Sequence, residues 1–418
     1  MKDYKKFVLV DWLDKIGFNC HLGIKLGLDK VKLVAEELGL LKNNRKVITI
    51  SGTNGKGSTV AILESIYISL GYNVGSYTSP HLFKINERIK INNKQISDES
   101  LCKAFYAVEE VRDQLKLTSF EMITLAALWY FKKYFLDLII LEVGLGGRLD
   151  AVNIIDSDLS IITTVDFDHQ NFLGSDRESI AYEKSGILRE GKPFIFADND
   201  IPERLLIESM KLNCPTYILG RDYNYFLDKK NFYFSYKQDN FLFPMPFLHK
   251  NSVSAAIMAS FCLKKYFPVN LNKVSFGIKN TYLPGRLQII KKHFFILLDV
   301  SHNLQSVKYL YSFVDNFYLK NRKCIYTVFS AFKDKDIINM IGVLKEIVDC
   351  WYISLLFNER SVSKDQLLDV FDFYCLKFSF HKDPVESFYS ACRIAKSGDL
   401  IIVFGSFLTV SSVLSILN

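Results

Sequence analysis

The stretch Ser51-Gly52-Thr53-Asn54-Gly55-Lys56-Gly57-Ser58-Thr59 carries the clearest chemical signal in the chain. It follows the apolar run KVITIS and opens a helical run, GSTVAILESIYISL. A strand, a glycine-rich turn, a Lys and then Ser or Thr at a helix start are the context of a phosphate-binding loop. Glycines let backbone N–H groups approach phosphate oxygens, and the helix N-terminus adds positive potential. Lys56 is expected on the β- and γ-phosphates of a nucleotide, with Ser58 or Thr59 beside Mg²⁺. The loop carries Gly-Lys-Gly and is shorter than the commonest GxxxxGKS form.

Three further polar residues follow strand-like runs. The run DLIILE ends on Glu142, where a buried strand can deliver a carboxylate to a metal-facing edge. Ser79 follows the run that contains Val74, and His169 follows SIITTV through Asp166-Phe167-Asp168. Taken singly, each has an ordinary explanation: a turn hydroxyl, a satisfied core carboxylate, a capping imidazole. All three lie just past strand ends beside the phosphate loop, and together they point to Mg²⁺. Gly144, Gly146 and Gly147 allow a sharp turn after Glu142, but Leu149 stands where a dinucleotide fingerprint has its third glycine.

The elements that must position these residues alternate apolar strand, turn and amphipathic helix. That pattern predicts an α/β fold: a mostly parallel sheet domain of P-loop type, followed by a smaller Rossmann-like α/β domain. Expected strands are Lys46–Ser51, Val74–Tyr77, Leu136–Leu141, Leu159–Val165 and Pro193–Ala197, then Phe294–Val300, Ile325–Ser330, Trp351–Leu355 and Asp399–Phe404. Expected helices are Leu28–Glu37, Gly57–Leu70, Ser97–Gln114, Glu121–Tyr134, Ser252–Tyr266 and Ser306–Phe313. From Tyr217 to Pro246, aromatic and polar residues alternate, as in a small antiparallel hairpin region. The turn Leu283-Pro284-Gly285-Arg286 is the natural boundary between domains of residues 1–285 and 286–418.

Composition excludes several classes. The chain has 418 residues, 49% apolar and 23% charged, the balance of an ordinary globular protein with two or three domains. A net charge of +7 is spread along the chain without a basic stripe, which argues against nucleic acid as a partner. The eight cysteines form no CxxC pair, so a zinc ribbon is not expected. Scattered cysteines without a signal peptide suit a reducing cytoplasm. No uncharged apolar stretch approaches the ~20 residues of a membrane helix. Nothing in the sequence demands an oligomer, and a monomer is expected.

Read in order, GTNGKGST, YTSPHL, LEVGLGGRLDA, DRESIAYEKSGI, LPGRLQI and LDVSHN resemble the folylpolyglutamate synthase family of the Mur ligase superfamily. The likeness runs from about Gly23 to Thr409, and it is nearest to the bacterial members that also make dihydrofolate. It implies an ATP-dependent amide ligase of folate biosynthesis and one-carbon metabolism. ATP would phosphorylate a pterin-linked carboxylate, and the amine of L-glutamate would attack the acyl phosphate. Acceptors would be dihydropteroate and tetrahydrofolates.

Residue by residue, the resemblance implies nucleotide contacts at Asn54, Gly55, Lys56, Gly57, Ser58, Ser254, Arg286 and Asp299. It implies ligands for two Mg²⁺ ions at Ser79, Glu142 and His169, with catalytic roles for Lys56, His169 and Lys184. Lys184 resembles the lysine that family members carry as a carbamate, an anionic oxygen donor. Pteroate contacts would come from Gly23, Ile24, Lys25 and Leu26, from Thr118, Ser119, Phe120 and Glu121, and from Leu149, Asp150 and Ala151. His302 and Asn303 would lie on the glutamate side. The chain departs from the family pattern at Lys25, Val152, Ser254, Ser301 and Leu304. The alternatives are an enzyme that only extends reduced folates, and a P-loop switch without ligase chemistry. A switch has no need of the LPGR and LDVSHN motifs.

Overall fold

The computed structural model describes residues 4–18, 27–42, 44–228, 230–317 and 323–417. The chain divides into two compact units, Met1–Tyr282 and Leu283–Asn418. The division falls at the first residue of the Leu283-Pro284-Gly285-Arg286 turn.

In the first unit, eight strands form one sheet: β1 (Lys46–Ser51), β2 (Val74–Tyr77), β3 (Ile89–Ile91), β4 (Lys94–Gln95), β5 (Leu138–Glu142), β6 (Leu159–Ile162), β7 (Phe194–Phe196) and β8 (Thr216–Ile218). Their order is β4-β3-β2-β5-β1-β6-β7-β8. The six strands from β2 to β8 run parallel, and β3 and β4 add an antiparallel edge. Central strands β1, β5 and β6 are buried on both faces, which is why they read as continuous apolar runs. Because β1 lies between β5 and β6, the chain reverses its direction of build there, and a crevice opens at the strands' C-terminal ends.

Tyr217 belongs to β8 of this sheet and not to the hairpin region expected from Tyr217 onward. The hairpins are a separate three-stranded sheet of β9 (Tyr223–Leu227), β10 (Asn231–Tyr236) and β11 (Asp239–Pro244). Cross-strand aromatic stacking holds it, as between Phe226 and Tyr233 at 4.5 Å.

The second unit is a six-stranded sheet of β12 (Gln288–Lys291), β13 (Phe295–Leu298), β14 (Ile325–Phe329), β15 (Cys350–Ser354), β16 (Phe378–His381) and β17 (Leu400–Phe404). Only β12 is antiparallel, in the order β12-β13-β17-β14-β15-β16. Its core gathers Trp351, Phe329, Phe371 and Phe404.

The helices differ from expectation mainly at their ends. The phosphate-loop helix spans Lys56–Leu70, and the helix expected from Ser306 spans Leu304–Phe317. Several short helices carry too little apolar pattern to read from sequence. Arg177–Ser185 is one: it starts at Asp176, whose carboxylate accepts from the Ser179 amide at 2.9 Å.

Candidate functional site

The phosphate loop leaves β1 and turns through Gly52 at φ 141°, with Gly55 at φ 86° before the Lys56–Leu70 helix. A Cβ on Gly52 would fall 1.9 Å from the Thr163 hydroxyl, so only glycine fits there. The loop is sewn to the segment after β6. The Thr53 amide donates to the Thr164 carbonyl at 2.9 Å, and the Asn54 amide to the Thr164 hydroxyl at 3.1 Å. The Thr163 hydroxyl donates to the Asn54 carbonyl at 2.5 Å. Lys56 Nζ lies inside the loop, donating to the carbonyls of Gly52 at 2.8 Å and Thr53 at 3.2 Å. Ser58 is buried on the first turn of the helix.

Glu142 ends β5, and its register partner on β1 is Ile50. Its side chain is 3% exposed, and Oε2 accepts from the Ser79 amide at 3.1 Å. A Cβ on Gly57 would stand 3.5 Å from that same oxygen, so the carboxylate faces the start of the phosphate-loop helix across a space that glycine leaves open. Carboxylate and hydroxyl oxygens are hard donors of the kind Mg²⁺ takes, so the residues here fit that ion. Among the described residues no group of three or more His, Cys, Asp and Glu side chains is poised to hold a metal, so protein oxygens would share the ion with phosphate and water. His169 opens the short helix Gln170–Leu173 in left-handed conformation at φ 51°, with Nε2 3.9 Å from Asp168.

Lys184 is the last residue but one of the helix that Asp176 caps and is 3% exposed. Burial, and then the charge of Lys56, push its ammonium down to about 7, while Asp168 pulls the other way. The segment after β5 packs on this turn, with the Arg148 amide donating to the Glu183 carbonyl at 2.7 Å. Asp150 is buried and accepts from the amides of Leu145 at 2.9 Å and Val152 at 3.1 Å. Burial raises its pKa to about 6 against those bonds.

The Thr118–Glu121 segment starts the Ser119–Lys132 helix as a capping box. The Glu121 carboxylate takes the Thr118 amide at 2.6 Å, and the Thr118 hydroxyl takes the Glu121 amide at 3.3 Å. Thr118 and Glu121 therefore shape the turn, and Phe120 is left to line it. The Phe120 ring packs on the Gly144 backbone, 6.1 Å from the Tyr77 ring. Leu149, Asp150 and Ala151 follow in the same loop as Gly144. Gly23, Ile24, Lys25 and Leu26 lie outside the described residues.

The sequence reading missed Ser252. Its hydroxyl donates to the Gly55 carbonyl at 3.3 Å from the first turn of the Lys250–Cys262 helix. Ser254, two residues on, is fully buried and donates back to the Asn251 carbonyl at 2.9 Å. The family resemblance points to Ser254, and in the fold Ser252 is the serine that reaches the phosphate loop.

In the second unit, Asp299 follows β13 and accepts from the Leu287 amide at 2.8 Å and from both the amide and the hydroxyl of Ser301. Burial raises its pKa, and Arg286 opposes that rise. The Arg286 guanidinium lies 5.2 Å from the centre of the Phe407 ring, and the His302 ring stands 6.0 Å from the same ring. His302 Nδ1 pairs with the Val300 carbonyl at 2.9 Å. The Asn303 side chain accepts from the Ser306 amide at 3.0 Å, capping the Leu304–Phe317 helix.

Comparison with known proteins covers most of the chain. Residues 50–264 match the Mur ligase middle domain, and residues 285–407 match the Mur ligase, glutamate ligase domain. The dihydrofolate synthase/folylpolyglutamate synthase of Buchnera aphidicola from Acyrthosiphon pisum is 40% identical over 390 residues, 93% of each chain. A structure of Escherichia coli FolC in complex with DHPP and ADP superposes with a TM-score of 0.94 at 35% identity, covering 99% of this chain and 98% of that one. A bifunctional folylpolyglutamate synthase/dihydrofolate synthase with Mn, AMPPNP and L-glutamate bound gives 0.90 at 34% identity, covering 99% and 98%. The chain belongs to the Mur ligase family, in its dihydrofolate synthase/folylpolyglutamate synthase branch.

Proposed function

We propose that this protein is an ATP-dependent ligase that joins L-glutamate to dihydropteroate, forming dihydrofolate, and to tetrahydrofolates, extending their glutamate tail. The observation that carries the reading is a full-length match to bifunctional enzymes by both sequence and fold, with the phosphate loop and Glu142 at one sheet edge.

The chemistry needs positioning and charge neutralisation more than covalent help from the protein. The acceptor carboxylate oxygen bonds to the γ-phosphorus of ATP, and the bond from that phosphorus to the bridging oxygen breaks with its electron pair leaving on ADP. The glutamate amine then bonds to the acyl carbon, the carbon–oxygen bond to phosphate breaks, and a proton leaves the nitrogen. Asn54, Gly55, Lys56, Gly57 and Ser58 are proposed to hold the phosphates of ATP. Thr118–Glu121 and Leu149–Ala151 are proposed to line the pteroate, with Phe120 stacking on a flat ring. Arg286 and Asp299 are proposed to serve ATP, and His302 and Asn303 glutamate. Ser79, Glu142 and His169 would hold Mg²⁺, which when bound supplies positive charge to the phosphates. Lys184, buried and easily neutralised, is proposed to carry a carbamate. All described cysteines are free, which supports a cytoplasmic setting. Among the described residues no helix is long and apolar enough to cross a membrane. A monomer is proposed.

Phosphate release with Mg·ATP and glutamate tests this, comparing no acceptor, dihydropteroate and tetrahydrofolate, with products weighed by mass spectrometry. Glutamate added to both acceptors is expected. Addition to tetrahydrofolate alone would narrow the activity to tail extension. Phosphate release that no acceptor stimulates would sink the ligase reading.

A further inference from the structure

Arg88 closes the Ile85–Arg88 turn, just before β3, and carries its charge into a setting where it is only 9% exposed. Its Nε donates to Nδ1 of His81 at 3.0 Å. Its guanidinium lies 5.4 Å from the centre of the Phe18 ring, and Phe18 stacks on His81 at 5.6 Å. The Tyr77 side chain hydrogen-bonds it, and Glu142 and Glu87 act on its charge, yet among the described residues no carboxylate forms an ion pair with it. A guanidinium has five N–H donors, and buried charges are ordinarily paired, because a lone one is costly to desolvate. This one has a neighbouring imidazole and phenol but no carboxylate ion pair among those residues.

Its surroundings indicate which partner. The Arg88 carbonyl takes the Thr78 amide at 2.9 Å, and the next residue, Ser79, donates its amide to Glu142. Tyr77, on the same strand, brings its ring to 6.1 Å from Phe120. The guanidinium thus adjoins the segment that meets the Glu142 carboxylate, and Phe120, partly exposed beside the fully buried Tyr77, is the aromatic face left for a flat ring. A ligand with a flat aromatic body and a carboxylate at its end fits both. We propose that Arg88 binds the acceptor carboxylate that takes the phosphoryl group. The proposal rests on the ligase reading above. Its chemical sense is that a carboxylate must approach an anionic γ-phosphate, and a planar guanidinium offers that carboxylate two parallel hydrogen bonds while cancelling its charge.

The test compares wild type, Arg88→Met and Arg88→Lys as full-length proteins. Three probes are titrated calorimetrically: dihydropteroate, the same pterin–aniline compound lacking its carboxylate, and AMPPNP. Arg88→Met is expected to weaken dihydropteroate binding by ~100-fold, the scale for losing one partner of a buried charge pair. Binding of the carboxylate-free compound and of AMPPNP should stay within about threefold of wild type. Arg88→Lys, which keeps the charge but not the fork, should lose about tenfold for dihydropteroate and serves alone if Arg88→Met does not fold. Ligand-free Arg88→Met should melt no lower than wild type, because a buried charge without an ion pair has gone. Equal weakening for all three probes would assign Arg88 a purely structural role, and unchanged dihydropteroate binding would overturn the proposal outright. If wild type itself ligates no acceptor, the ligase reading fails and this proposal with it. If wild type ligates and Arg88→Met binds dihydropteroate normally, this proposal alone fails.

Discussion

The amide of Ser79 and the carboxylate of Glu142 meet across two neighbouring parallel strands, N–H to Oε2, at 3.1 Å. Tyr77 on β2 stands opposite Leu141 on β5, so both segments leave the sheet at the strands' C-terminal ends. The bond orients one carboxylate oxygen and holds the group toward the phosphate-loop helix. Glu142→Gln keeps the shape and an acceptor for Ser79 but removes the charge. Ligation should fall by ~100-fold or more, the scale for losing one preorganised electrostatic group. The melting temperature should hold or rise, since a buried charge is gone. Coupled phosphate release and thermal unfolding check both, and wild-type turnover would remove Glu142 from the site.

Lys56→Ala should abolish detectable ligation while the protein stays folded. Lys56 Nζ bonds two carbonyls of its own loop, so its loss also loosens the turn from Gly52 to Thr53. Nucleotide affinity should drop with turnover, and circular dichroism should be unchanged. Near-normal turnover would refute the phosphate-loop assignment.

The two serines on the Lys250–Cys262 helix separate cleanly. Ser252 reaches the Gly55 carbonyl, whereas the Ser254 hydroxyl is spent on Asn251. Ser252→Ala should raise the KM for ATP several-fold, consistent with the ~1 kcal/mol of one neutral hydrogen bond, and leave kcat nearly intact. Ser254→Ala should leave the KM for ATP within experimental error. The opposite ranking would return Ser254 to the nucleotide.

Acid should destabilise the fold through His249. Burial, and then Lys250, push this imidazole down to about 4. An unfolded histidine titrates near ~6.5, so between those values the unfolded chain binds the extra proton. Stability therefore falls as pH drops from about 6.5 to about 4. His249→Asn keeps a cap acceptor for the Asn251 amide, which His249 Nδ1 now takes at 3.2 Å. Urea unfolding at pH 7, 6 and 5 should show a shallower decline in the variant. Parallel declines would assign the acid sensitivity to other groups.

The phosphate loop is legible in the sequence because its work needs contiguous residues: a strand, glycines, Lys56 and a helix start. The strands that deliver Ser51 and Glu142 are legible too, since burial on both faces forces unbroken apolar runs. Their neighbourhood is not. Order in a parallel sheet is set by crossovers and packing, and only the order β2-β5-β1-β6 puts Ser79, Glu142 and the loop together.

Burial was decided by tertiary structure alone. Lys184 stands in the charged run RESIAYEKS, which carries no sign of burial, and the packing around its turn leaves it an amine of pKa about 7. Arg88, in the run NERIKI, is enclosed by His81, seven residues before it, and by Phe18, seventy residues before it. Ser252 and Ser254 share a composition but differ in helix phase. By itself the sequence determined the family, the reaction class and the loop, because those depend on local order. The tertiary structure decided which charges lose their water, because desolvation depends on what packs around a side chain and not on what precedes it in the chain.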